Sequence, residues 1–291
     1  MSGAKGTEVM PRVAYVFFTL VLLYMVFMVP FGRQLQQRPS LVKLGYVPQA
    51  SVVRLFAADQ RLTVAAFYSL RALIYYGDMI RQWRAGNRQT PEMENLFGFL
   101  ESSVHLDPYN MDTLYFLQAA FTWEVNRAED VNRLLAYAMN FRYWDWLLPY
   151  YAGFNAGYFL QEPAAAATYM ERAADLSGHS LLANLAARYL QQSGKAALAL
   201  AFLDDMIGRD RARYLDSALM VRRQALQAMV RIEQAVEHYR GLFGHDPKTL
   251  ERLVDAGLLA EVPADPYGGR FFLDATGRVQ TTSRLAFSRE Q

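Results

Sequence analysis

The sequence predicts a mainly α protein: one N-terminal transmembrane helix, an α-solenoid of antiparallel helix pairs, and a small C-terminal helix plus β-hairpin. Three observations carry this. Residues Val13 to Val29 run for 17 positions without a charge. From Pro48 to Arg209 apolar residues recur at helical spacing between short loops. After Arg209 one long helical pattern gives way to turn signals and two short strand-like runs. The 291 residues then divide into a tail (1–12), an anchor (13–31), a linker with a short helix (32–58), the helical repeats (59–209) and a C-terminal module (210–291).

The anchor comes first. Pro30 and Phe31 extend the apolar run to 19 residues, about 28 Å of helix at ~1.5 Å per residue, close to the thickness of a bilayer's hydrocarbon. Arg12 and Arg33 bracket it, where their heads reach the interfaces. A cleaved signal peptide would have a shorter apolar core and small residues at its end. Here the run ends in VPFGRQLQQRP, without an A-x-A pattern, so an uncleaved single-pass anchor is expected. Lys5 and Arg12, offset by Glu8, balance Arg33, Arg38 and Lys43 on the other flank. The flanking charges therefore do not decide which side carries the body.

Composition excludes several classes. An apolar share of 53% with 14% aromatics is not a disordered chain. Thirty basic against 28 acidic residues leave no excess for a nucleic-acid binder. The absence of cysteine removes disulfides, Cys-ligated zinc and thiol catalysis.

The body is read as a short helix at Ser51–Phe56, then a long one from an Asp59 cap through about Arg84, stopped by Gly86 and Asn87. The next has Thr90 as cap and Pro91 at its first position, and ends before Asp107-Pro108. Further helices follow at about 111–125, 128–141, 146–160, 163–176, 179–192 and 195–208. Small residues sit mid-helix with a large apolar residue a turn later: Gly153 beside Phe154, Ala166 before Met170 and Ala173, Ala199 before Leu203. The period is about 32–38 residues, the range of helix-turn-helix solenoids. With SVHLDPYN at 103–110 as a repeat junction, residues 62–208 resemble the tetratricopeptide repeat. That resemblance implies three or four repeats and a groove that binds peptides or partner helices.

In the C-terminal module a long helix over 211–243 carries Leu215, Leu219, Arg222, Leu226, Met229, Ile232, Val236 and Tyr239 at spacings of three or four, and Gly244 ends it. A short helix from Pro247 to about Leu259 follows, with Asp246 as cap. Asp265 to Gly269 is a turn, and strands at Arg270–Leu273 and Arg278–Thr282 flank Asp274–Gly277. The order HYRGLFGHDP, KTLERLVDAGLL, VPADPYGG and a DxxGRV hairpin resembles the soluble part of type II secretion pseudopilins over about 228–283. No processing site or apolar helix half is attached to it, and no calcium ligands can be matched. Together with VAAFYSLRALIYYGD at 64–78, the whole resembles a group of bacterial membrane-anchored tetratricopeptide proteins. This implies a bacterial inner-membrane location with the body on the periplasmic side.

Chemistry is sparse. HExxH, GxSxG, GxxxxGK[ST] and GxGxxG are all absent. His105, His179, His238 and His245 are scattered without ligand spacing, and His245-Asp246 is a weak metal or proton candidate. Glu129-Asp130 and Asp204-Asp205 read as capping or solvated pairs. Arg71 and Asp78 share a helix face, with Arg81 beyond, and are expected to pair with a neighbouring helix. Arg209, Arg211, Arg213, Arg222 and Arg223 form a basic run, read as a helix rim or an acidic-partner surface.

The unusual feature is aromatic. Phe141 precedes Tyr143, Trp144, Trp146, Tyr150, Tyr151, Phe154 and Tyr158. These last seven are the candidate partner-binding residues, since aromatics anchor interfaces. They are equally what fills a wide helical core. Asp145 is expected to cap the helix that carries them. The function expected is a non-enzymatic, membrane-anchored scaffold for protein partners in assembly of a pilus or type II secretion-like system. No catalytic residue, metal, cofactor, nucleic acid or small-molecule substrate is expected. A cytoplasm-facing docking adaptor and an accessory subunit of an envelope enzyme stand as alternatives.

Overall fold

The computed structural model describes residues 9–37, 44–86, 90–210 and 217–283. Lys5, Glu8, Arg38, Lys43, Asn87, Arg211, Arg213, Leu215 and Asp216 lie outside the described residues.

Helix α1 spans Val9–Gln37 with Pro30 inside it. Its segment Ala14–Phe31 has a mean hydropathy of 2.2 and is wholly exposed, long and apolar enough to cross a membrane. The helix outruns the apolar stretch. Proline removes one backbone bond, whereas every other peptide group in an apolar setting is satisfied only by continuing the helix.

Two compact units follow from the contacts: residues 1–46 with 70–96, and residues 47–69 with 97–291. Helix α2 is Ala50–Ala57, and α3 is Arg61–Arg84. Asp59 does not cap α3. It sits in a 3-10 turn, Ala58–Gln60, entered through Ala58 at φ +43°, where the backbone breaks from α2. In the first unit Ala72, Tyr75, Met79 and Leu96 are buried, and the Arg71 guanidinium donates to the Leu44 carbonyl at 2.7 Å. Asp78 pairs with Arg81 of its own helix, so the expected bridge to a neighbouring helix is replaced by a local i,i+3 pair. Helix α4 is Met93–Leu106, starting later than Pro91. The Glu92 N–H is taken by the Tyr75 hydroxyl at 2.7 Å, and the Glu92 carbonyl accepts the Leu96 N–H at 2.9 Å.

The second unit is a solenoid-like stack of antiparallel helix pairs. Helix α5 is Met111–Phe116 and continues as a π segment, Leu117–Thr122. Its partner α6 is Ala128–Met139. The next pairs are α7, Leu147–Tyr158, with α8, Pro163–Ser177, and α9, Ser180–Gln192, with α10, Ala196–Arg209. First helices contact first helices along the stack. Ser69 of α3 meets Thr113 of α5 at 2.5 Å, and Gln118 of the π segment meets Asn155 of α7 at 2.7 Å. Gly157 of α7 lies under the Tyr189 ring of α9. Second helices do the same: Tyr137 of α6 bonds the His105 carbonyl, Arg172 of α8 the Met139 carbonyl, and Arg209 of α10 the Asp175 carboxylate of α8 at 3.0 Å.

Small residues make these approaches possible. A Cβ at Gly157 would lie 2.3 Å from the Tyr189 ring, and one at Gly153 3.0 Å from Met170 Cγ. Ala166, Met170 and Ala173 are all buried, as their spacing predicts.

Helix α11, Ser217–Phe243, buries Leu219, Arg222, Leu226, Met229, Ile232, Val236 and Tyr239 along one stripe. Gly244 ends it at φ +73°. Helix α12 is only Glu251–Asp255, shorter than expected, although Leu250, Leu253 and Leu259 still reach the core. Asp246 pairs with Arg240 at 2.5 Å and does not serve as a cap. Strands β1, Phe271–Leu273, and β2, Val279–Thr281, pair antiparallel with Phe271 opposite Thr281. Asp274 closes their turn by accepting the Thr276 and Arg278 N–H groups. The Thr276 hydroxyl also donates to it, at 2.6 Å, and this bond first, with the backbone ones, holds its carboxyl below the usual range. One continuous apolar core joins α8 to α12 and both strands.

Candidate functional site

The site is built on α7, whose twelve residues include four aromatics and two glycines. Asp145 fixes its start. The carboxylate accepts the Leu147 N–H at 3.0 Å and two bonds from Arg142, at 3.0 and 2.7 Å. Behind the aromatic surface lies a buried amide network. Gln118 and Asn155 exchange two bonds, at 2.7 and 2.8 Å. Asn155 also donates to Asn132 at 2.9 Å, and Asn132 donates to the Ala152 carbonyl at 3.1 Å. Full satisfaction turns three buried amides into a register lock among the π segment, α6 and α7. The π turn is not free of cost: the Thr122 hydroxyl is buried without a hydrogen-bond partner among the described residues.

The predicted aromatics separate into three roles. Trp146, Tyr150 and Phe154 pack against the core, and the Trp146 ring meets His179 edge-on at 5.4 Å. Tyr143 and Trp144 are exposed in the α6–α7 turn. Trp144 stacks on Tyr109 at 6.4 Å, while Arg142 lies 5.8 Å from the Trp144 ring and bonds the Tyr109 carbonyl. Tyr151 and Tyr158 belong to a third set, extended by residues that local aromatic density does not reveal. Tyr151 faces Tyr115 at 6.5 Å, and burial raises the Tyr151 phenol pKa, with Tyr115 adding to it. Trp123 meets Phe154, Tyr158 and Phe159 at 5.9, 5.8 and 4.9 Å, and Phe154 stacks on Tyr158 at 5.4 Å.

Tyr115, Trp123 and Tyr158 remain 59%, 56% and 57% exposed. They project from the first helices of consecutive pairs. Ring–ring contacts hold each one while leaving a face in solvent, an arrangement suited to burying an apolar side chain of another polypeptide. Superposing the sequence on its own repeat period would have found Tyr115 and Trp123, which fall about one repeat before Tyr151 and Tyr158.

The remaining candidates are accounted for by structure. Arg222 is 2% exposed, so the basic run is not one surface. Its guanidinium donates to Asn184 at 2.8 Å and lies over Tyr267, and burial lowers its pKa. Asp204 pairs with Arg223, and Asp205 with Arg209, each at 2.5 Å, and both carboxylates stay exposed, as expected of solvated residues. Asp130 pairs with Arg127 and Arg133. His245 contacts the Asp246 carbonyl through Nδ1, and no group of three or more metal-ligating side chains occurs among the described residues. A separate cleft of about 280 Å³ lies between α11, the α9–α10 turn and the hairpin. Glu233 lines it, with its carboxyl raised by burial.

No protein-family model matches the chain, and no curated protein or solved structure is similar to it.

Proposed function

We propose that this chain is a non-enzymatic scaffold, held in a membrane by α1, that binds protein partners on the first-helix face of its stacked pairs. The observation that carries the proposal is the exposed ladder of Tyr115, Trp123 and Tyr158, flanked by Tyr151. The bound segment, an extended strand or a helix, places apolar side chains between these rings. The rigid amide network behind them lowers the entropy lost on binding. Restriction to the plane of a membrane raises the scaffold's effective concentration toward other membrane components.

The envelope role is the finer part of the proposal. Assembly of a pilus or type II secretion-like system is supported by the order of α11, α12 and hairpin and by the DxxGRV turn. It requires the body to lie on the periplasmic side of a bacterial inner membrane.

The test is photocrosslinking in cells from residue-specific probes at Tyr115, Trp123 and Tyr158, with Thr168 of α8 as control. Adducts of one size from the three groove positions, absent at Thr168 and lost in W123A/Y158A at unchanged Tm, support the proposal. Adducts equally strong at Thr168, or none from the groove, overturn it. A topology reporter fused after Gln291 decides the compartment, and an internal C-terminus removes the secretion role.

A further inference from the structure

Helix α3 is apolar on two faces. One, formed by Ala65, Ser69, Ala72, Tyr75 and Met79, is buried. The other carries Leu62, Phe67, Leu70, Leu73 and Ile74, all exposed, with Ala66 and Gly77 between them, also exposed. At ~100° per residue these positions fall within an arc of about 140°. A helix that opens a solenoid ordinarily turns a polar face outward, because no further repeat covers it. This one does not, and a surface of this kind marks a contact. Helix α2 repeats the pattern: none of its residues is buried, and Leu55 and Phe56 are 77% and 81% exposed. Just before it stands Tyr46, also exposed.

Two facts bear on what covers these faces. Only six residues separate Gln37, the end of α1, from Leu44. With the stretch from Leu44 to Gln49, the start of α2 lies at most about 45 Å of chain from the end of α1, and α2 is the first described helix after the one that enters the bilayer. The charge also fits. From residue 44 to the end of α3 at Arg84 the acidic residues are Asp59 and Asp78, against Arg54, Arg61, Arg71, Arg81 and Arg84, of which Arg54 and Arg71 are held by the His105 and Leu44 carbonyls. Apolar and aromatic residues with basic neighbours are the composition of helices that lie in the headgroup region of anionic membranes.

We infer that α2 and the exposed face of α3 lie in the bilayer interface as a second membrane contact, with Phe56, Phe67, Leu70 and Ile74 below the headgroups. The solenoid is then seated on the membrane at its first helix. The inference rests on α1 spanning the bilayer, as in the scaffold proposal, but not on the aromatic groove.

The chain contains no cysteine, so single cysteines at Phe56, Phe67 and Ile74 label cleanly with an environment-sensitive fluorophore. The full chain is reconstituted in phosphatidylglycerol/phosphatidylcholine vesicles and quenched with spin-labelled lipids. Leu23 of α1 is the depth reference and Thr168 the solvent reference. Blue-shifted emission at 56, 67 and 74, quenched several-fold more than at 168 and by shallow more than by deep spin labels, is the expected result. Unshifted emission at these positions, with Leu23 quenched, overturns the interfacial seat and leaves the anchor intact. Blue-shifted emission that no lipid quenches also overturns it, and assigns the face to a protein surface. Leu23 unquenched overturns the anchor and the seat together. The pair L55E/F56E, on a helix with no buried residue, should lower the shift at 67 at unchanged Tm.

Discussion

Replacing Asn155 with leucine tests the amide network that holds the groove. Leucine keeps the branched shape and heavy-atom count of asparagine but is larger, so no cavity opens and some overpacking adds to the loss. It orphans both amide groups of Gln118 and one bond to Asn132, while Gln118 and Asn132 are only 5% and 8% exposed. At about 1 kcal/mol for each buried group left unsatisfied, the single variant should lose about 3 kcal/mol. For a chain of this size that is about 6–12 °C in Tm. Removing Gln118 as well, in Q118L/N155L, leaves only the Asn132 carbonyl oxygen unpaired, so the loss should fall to about 1 kcal/mol. The assay is urea unfolding in detergent or nanodiscs, followed by circular dichroism and by tryptophan fluorescence, since a stack of repeats need not unfold in one step. An N155L loss below about 1 kcal/mol would refute the register lock, as would a double variant no more stable than the sum of its singles.

The other predictions concern the same stack and its C-terminal cleft. Gly157→Ala drives a methyl into the Tyr189 ring at 2.3 Å and should destabilise by about 1–3 kcal/mol; the double variant with Tyr189→Leu should recover most of this in the same denaturation. Thr122→Val removes a buried hydroxyl without a partner and should raise stability by about 1 kcal/mol, against the usual sign for such a change. Glu233 has its carboxyl raised by burial, so the folded state binds its proton more readily than the unfolded one. Its charged form therefore costs stability above the ordinary carboxylate range, and the cost disappears as the pH falls to where both states are protonated. Glu233→Gln should accordingly raise Tm at pH 7–8 and leave it unchanged at about pH 3; an increase that persists in acid would show packing at work instead of charge.

Much of the architecture was legible because helices, caps and turns are local. The alternation of Ala166, Met170 and Ala173 predicted a buried stripe, and Leu219 to Tyr239 predicted the inner face of α11 through its 3.6-residue period. Three features were not legible. The π segment at Leu117–Thr122 has the composition of any helix, and its Gln118 bonds Asn155, 37 positions away. Arg222 falls both in the stripe and in the basic run by sequence; that it is buried is decided by Asn184 and Tyr267, on elements far apart in sequence. The aromatic run at 141–158 gave the neighbourhood of the site, but a stretch dense in aromatics holds core and surface residues alike. Trp146 and Tyr150 pack against the core, whereas Trp123 and Tyr115, one repeat earlier, stay outside. The short α12 shows the reverse case. KTLERLVDAGLL has helical periodicity, yet Leu250 and Leu259 reach the core with only five residues in helix, so burial could be met without the full-length element.

The hairpin and α11 give the stack unequal ends. At the C-terminal side the last pair is sealed by a 27-residue helix and two strands sharing its core. At the other side α3 faces outward with leucine, phenylalanine and isoleucine. In a stack held by nearest neighbours, fraying starts where a unit has one neighbour fewer. Amide exchange should therefore run as a gradient, fastest at α2 and α3 and slowest from α8 onward, and steepest when the protein is taken out of lipid. On this expectation the molecule unfolds in one direction, starting from the helices that follow α1 in the chain.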